Sequence, residues 1–217
     1  MLVKSQYRLW YKTLGKGGII SVLLLGVVLP ILFIMFYYLT EDKELAVIQL
    51  HSYIQTTIPL LTLINPATAL KAYCEKPQKE LLLQINRRMR FKVALLTFAP
   101  TFIIAVLTLT IYAVLQMIST DLLVILIVAI LFQYSVAYAL AVMVGSVSAA
   151  IFFLIIYTVI NIAGGSELPL FPFYFTNQDF SLPDNLSAIF LYLFSTIGLF
   201  ILAVLQDLRH RQLQTKK

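Results

Sequence analysis

Apolar residues run almost without interruption through six stretches of this chain, at about residues 17–39, 45–70, 93–118, 120–141, 143–164 and 187–206. Each is close to the roughly 20 residues that an α-helix needs to cross a hydrocarbon core of about 30 Å. The pattern predicts an all-α integral membrane protein with six transmembrane helices. It also predicts one domain, 1–217, because the longest stretches left outside the spans are 1–16, 71–92 and 165–186. The first span is longer than a signal-peptide core and no small-residue cleavage site follows it, so it is expected to be retained.

Composition strengthens this reading. Mean hydropathy is +0.91 and only 12% of residues are Asp, Glu, Lys or Arg, against roughly a quarter in soluble domains. Six alternating spans put the N-terminus, the 71–92 loop, the turn between spans four and five and the C-terminal tail on one face. That face carries fifteen of the sixteen basic residues and three acidic ones, a net +12; Lys43 and seven acids give −6 opposite, which sum to the chain's +6. The positive-inside rule makes the basic face cytoplasmic, with both termini inside. The basic excess therefore reports topology and is no argument for nucleic acid. Cys74 is the single cysteine and cannot form an intrachain disulfide.

The polar segments have patterns of their own. Ahead of the first span Val3, Tyr7, Trp10, Tyr11 and Leu14 share one side of a helix and Lys4, Arg8, Lys12 and Lys16 another, which is the layout of a helix lying flat at the bilayer surface with Tyr7, Trp10, Tyr11 and Leu14 as its anchor. A plain basic flank is the alternative. The stretch EKPQKELLLQINRRMRFK, residues 75–92, holds eight of the 26 charged side chains. Pro77 suits a first helical turn, and Leu81, Leu82, Ile85 and Met89 then form an apolar stripe with Lys79, Asn86, Arg87 and Arg90 turned away. A loop that only reverses the chain needs a few residues; this one has the organised face of a surface that docks on another protein, or of a helix resting on lipid.

Here the sequence resembles the permease subunits of type-2 ABC exporters. Those have six spans, an N-terminal interfacial elbow helix and a cytoplasmic coupling helix between spans two and three. Glu75, the run Glu80-Leu81-Leu82-Leu83, Arg87 or Arg88, and Lys92 follow the form of that loop. Gln78-Lys79 replaces the Gly-Thr often found before the leucine run, and Ile85-Asn86 the proline after it. The resemblance implies that Glu75, Glu80, Leu81, Leu82, Ile85, Arg87, Arg88 and Met89 contact a separate ATPase subunit, present in two copies, which binds ATP and Mg. It further implies a second permease subunit, identical or homologous, and a place in the bacterial plasma membrane. Residues 165–186, rich in Pro, Phe and Tyr, are expected to form short re-entrant or interfacial elements outside.

Within the spans, His51 and Gln55 are the candidates for a substrate path, although a histidine near the outer end also simply reaches interfacial water. Asn65-Pro66 is expected to break or kink span two near its inner end, and Gly145-Ser146 to make a tight inner turn. The chain has no G-x-x-x-x-G-K-[ST] phosphate loop, so ATP chemistry is expected in a partner. Two other classes compete with export. An intramembrane enzyme needs placed catalytic groups such as H-E-x-x-H, and an ion-coupled carrier needs buried carboxylates; the spans show neither, and no metal site is expected. The export reading favours a hydrophobic or amphipathic cargo, such as a bacteriocin-like peptide or a lipophilic drug.

Overall fold

A computed structural model of the chain describes residues 18–75, 89–164 and 182–214. The expected elbow helix (1–16), the coupling-helix residues 76–88 and most of the outer segment (165–181) lie outside the described residues. Helices account for nearly all of what is described: α1 (Gly18–Leu39), α2 (Lys43–Thr62), α3 (Ile64–Cys74), α4 (Met89–Val114), α5 (Thr120–Val144), α6 (Val147–Gly164) and α7 (Leu182–Gln214). Gly18–Leu39, Arg90–Val114, Thr120–Val144 and Ile189–Asp207 are long and apolar enough to cross a membrane, and Val147–Ile160 is a shorter apolar helix. This is an all-α membrane protein. The apolar stretch expected as span two is two helices, because the chain breaks at Leu63.

Proline positions explain the irregular helices. Around Leu24–Val28 α1 widens into a π-turn, in which Leu29 N–H reaches Leu24 O. In that register the donor owed to Leu25 O belongs to residue 30, which is Pro30 and has no N–H. Thr108 of α4 supplies the missing donor, its hydroxyl 3.0 Å from Leu25 O. The α2–α3 break repeats the arrangement. Pro66 cannot donate to Thr62 O, and the Thr101 hydroxyl lies 3.1 Å from that carbonyl while also reaching its own helix at Phe98 O, 2.9 Å away. Thr101 and Thr108 are seven residues apart, two turns on one face of α4, so a single helix serves both breaks.

Helix ends are closed by local chemistry. Asp42 Oδ1 accepts from the N–H groups of Glu44 and Leu45, each at 3.1 Å, and starts α2. Ser119 does the same for α5 through Leu122 N–H. Lys43, the one basic residue on the acidic side of the sequence, donates to the carbonyls of Tyr37, Tyr38 and Thr40 at the end of α1, at 2.8, 3.2 and 2.9 Å. A cation over a helix C-terminus is the favourable polarity, so its exception to the charge bias has a structural cause. Past α4, Gln116 takes φ +57° while Met117 N–H bonds Tyr112 O and Gln116 N–H bonds Ala113 O. That is a Schellman closure, and the fully buried Met117 and Tyr112 supply its apolar residues.

The centre of the bundle is α5, which is buried against α7, α6, α4, α3 and α2. Its Tyr134 ring stacks on Phe98 of α4 with centroids 3.8 Å apart, and Tyr138 packs on Phe200 of α7 at 5.6 Å. Lipid tails are as apolar as these side chains, so close packing and satisfied polar groups, more than burial from water, hold such helices together. Gly26 illustrates the closeness, since a Cβ there would lie 3.2 Å from Ile104 Cγ2 of α4.

The proline-freed carbonyls yield a prediction. Thr108→Val keeps the shape but strips the donor from Leu25 O and should cost about 1–2 kcal/mol. Thr101→Val should cost less, because that hydroxyl divides its proton with Phe98 O. Unfolding of the purified chain by SDS in mixed micelles measures both, and the opposite ranking would contradict the assignment.

Candidate functional site

Three polar arrangements gather at one end of the bundle. At the start of α1, Ser21 Oγ donates to Asn65 Oδ1 at 2.6 Å and Asn65 Nδ2 to Gly18 O at 3.3 Å, joining α1 to α3 in a buried cluster. The Asn65 amide is thus spent on helix packing beside the break that Pro66 causes.

The second arrangement is an ion pair between the first turn of α4 and α7. Arg90 Nη1 lies 3.3 Å from Asp207 Oδ1, with side chains only 10% and 4% exposed. The sequence pattern placed Arg90 on the polar face of an amphipathic helix. The structure instead turns it inward, because α7 brings Asp207 to meet it 117 residues away. Nothing in local spacing announces such a pair.

The third centres on Glu75, one residue beyond α3. Its Oε1 accepts from Ser148 N–H at 2.7 Å and from Ser146 Oγ at 2.9 Å, and its Oε2 from Ser148 Oγ at 3.2 Å, with Lys71 Nζ 3.7 Å away. α5 ends on Gly145 at φ +74°, and Ser146 Oγ in turn accepts from Ala149 N–H to start α6. The inner turn expected at 145–146 is therefore present, and Glu75 completes it. The Ser148 N–H, above all, holds the Glu75 carboxyl below its ordinary value of 4.5; burial pushes it up, and the Ser146 and Ser148 hydroxyls and the Lys71 charge each add a smaller downward pull. A lowered carboxyl stabilises the fold fully above that ordinary value and loses its effect as pH falls through the lower folded one.

Of the other residues picked out from sequence, Glu80, Leu81, Leu82, Ile85, Arg87 and Arg88 lie outside the described residues, as do Tyr7, Trp10, Tyr11 and Leu14. Met89 is described only as the first residue of α4. Gln55 is buried inside the bundle and His51 is half-buried on the same side of α2. Among the described residues no three His, Cys, Asp or Glu side chains gather as metal ligands would.

The side of α2 that faces out of the bundle had not been singled out as a surface. Gln49, Ser52, Tyr53 and Thr56, at i, i+3, i+4 and i+7, share one face; Tyr53 is exposed and the others half-exposed. Exposed large apolar side chains line other described helices: Ile31 and Met35 of α1, Ile103 and Leu107 of α4, Phe152 of α6 and Phe194 of α7. Compared with protein-family models, curated proteins and solved structures, the chain matches none of them. Its chemistry has to be read from these groups.

The ion pair carries the testable consequence here. Asp207→Ala strands a buried guanidinium and should cost about 3–5 kcal/mol, whereas Arg90→Met with Asp207→Leu should recover most of that loss. Thermal unfolding of the detergent-solubilised variants separates the two; equal losses would mean the pair has no net coupling.

Proposed function

We propose that the chain is the membrane-spanning subunit of an exporter of the type-2 ABC class, with six spans, which moves a hydrophobic or amphipathic cargo outward under the power of a separate ATPase. The observation that carries the transport reading is the polar face of α2. Long polar side chains such as Gln49 and Tyr53 are costly against lipid, and polar positions at membrane depth face protein or a water-filled path. The large exposed side chains of the other described helices are mostly apolar, which supports reading this face as the side of a second half of the transporter and of the substrate path. An amide and hydroxyls spaced among Leu45, Ile48 and Leu60 form a mixed surface that suits an amphipathic peptide or lipophilic drug better than a polar sugar chain.

In this reading the assembly is a pair of permease subunits with two ATPase subunits, which bind the ATP and Mg. The six spans are α1, α2 with α3, α4, α5, α6 and α7, and the strongly basic ends face the cytoplasm. Residues 75–92 pass the ATPase motion inward, and two anchors receive it: α4 held to α7 by Arg90 and Asp207, and α3 held to the α5–α6 turn by Glu75. Tight seating of these helix ends lets a displacement of the loop reach the bundle rather than dissipate in slack.

Pull-down of the chain from native membranes should recover an ATPase, and recovery of none would remove the proposal. Within such a complex Leu82→Ala with Ile85→Ala should lose about 2 kcal/mol or more of subunit association, and substrate-stimulated ATP hydrolysis with it. Reversing the charge of Glu80 should weaken coupling with a smaller effect on assembly, as rim charges do. A photo-cross-linker at residue 85 that labels lipid and never protein would assign the loop to the membrane surface instead.

A further inference from the structure

Glu75 stands where a carboxylate is locally disfavoured. It follows the C-terminus of α3, the negative end of a helix dipole. What stabilises it comes from another part of the chain: the N-terminal turn of α6, whose free N–H groups and positive dipole end suit an anion. Both carboxylate oxygens are taken up, by one main-chain N–H and two hydroxyls that lie 71 and 73 residues away in sequence. The side chain is still 20% exposed and Lys71, its neighbour, 57%, so the bond lies at the edge of the bundle where it can open without unpacking the core. On the far side of the contact, Gly145, at φ +74°, forms the joint between α5 and α6 and carries no side chain that would brace it.

We propose that Glu75 is a reversible latch: seated, it locks the inner end of α3 to the α5–α6 turn, and withdrawn, it frees the first turn of α6 and uncovers the end of α3. The latch needs no ATPase to open or close, and its test is independent of the transport reading in which the same contact serves as an anchor. The carboxylate is a positioning group, and its removal acts in both directions because coupling between two contacting sites is reciprocal. Loss of Glu75 loosens Ser148 and the amides after it, and loss of the serines loosens α3. A reporter is built in, since Cys74, the single cysteine of the chain, is buried directly beside Glu75.

The test uses the full chain in lipid nanodiscs with two readouts, amide hydrogen exchange at residues 148–150 and the rate at which a maleimide alkylates Cys74. Glu75→Ala should speed exchange of the Ser148 amide by about tenfold, the loss expected for a charge-assisted bond, with a smaller rise at 149 and 150, whose N–H groups are held by Ser146, and leave α4 and α5 unchanged. Ser146→Ala with Ser148→Ala, which leaves α3 untouched, should speed Cys74 alkylation several-fold. Glu75→Gln, which keeps one acceptor oxygen, should fall between wild type and Glu75→Ala. Unchanged Cys74 alkylation in the double serine variant would overturn the latch, and so would exchange that rises equally throughout the bundle in Glu75→Ala.

Discussion

A backbone carbonyl with no donor is among the costliest groups that can be placed in an apolar interior, and the prolines within the described helices create such positions, two of which are answered by a neighbouring helix. Pro30 leaves Leu25 O without its amide and Pro66 leaves Thr62 O without its own. Both are met by hydroxyls on one side of α4, Thr108 and Thr101. The rest of the bundle depends on that match. It sets the height of α1 and of the α2–α3 break against α4, and it lets the chain bend twice without exposing backbone to hydrocarbon. The close approach of Gly26 to Ile104, one turn from Thr108, follows from the same seating.

Electrostatics govern the end of the bundle where the charged loop is attached. A buried ion pair is weak evidence of stability, because desolvation offsets much of its attraction, yet it penalises any arrangement that parts its members. Arg90 and Asp207 therefore fix which helices are neighbours more than how stable they are. Glu75 works similarly at lower depth: its carboxylate is disfavoured at the end of α3 and favoured at the start of α6, so it is satisfied only when those helices meet. The two ends of the segment 76–88 are in this way fastened to different parts of the bundle, one to the α5–α6 turn and the other to α7.

The outward side of α2 has a different logic. Its threonines are satisfied by their own helix, Thr56 at Ser52 O and Thr57 at Tyr53 O, which makes a hydroxyl tolerable at membrane depth. Gln49 and the exposed Tyr53 have no such local remedy that a helix can provide, because an amide and a phenol are too long to fold back on the preceding turn. A polar face with that composition calls for water or protein opposite it, and this gives the transport reading its physical basis.

The amino-acid sequence by itself determined that this is a helical membrane protein. Long apolar runs leave a chain in lipid no option but to satisfy its backbone within helices. It also located the break at Asn65-Pro66 and the turn at Gly145-Ser146, because proline and glycine act on the backbone of their own neighbourhood. What it did not determine was the use of the polar side chains. Arg90 read as part of the polar face of an amphipathic helix and is buried, Glu75 caps α6, and Lys43, set apart from the other basic residues in the charge pattern, closes α1. Asp207, Thr101 and Thr108 carried no signal at all. Each of these roles joins residues tens of positions apart or wraps a side chain over a neighbouring helix end, and periodicity records only which face of its own helix a residue occupies. Which partner that face meets was decided when the helices packed.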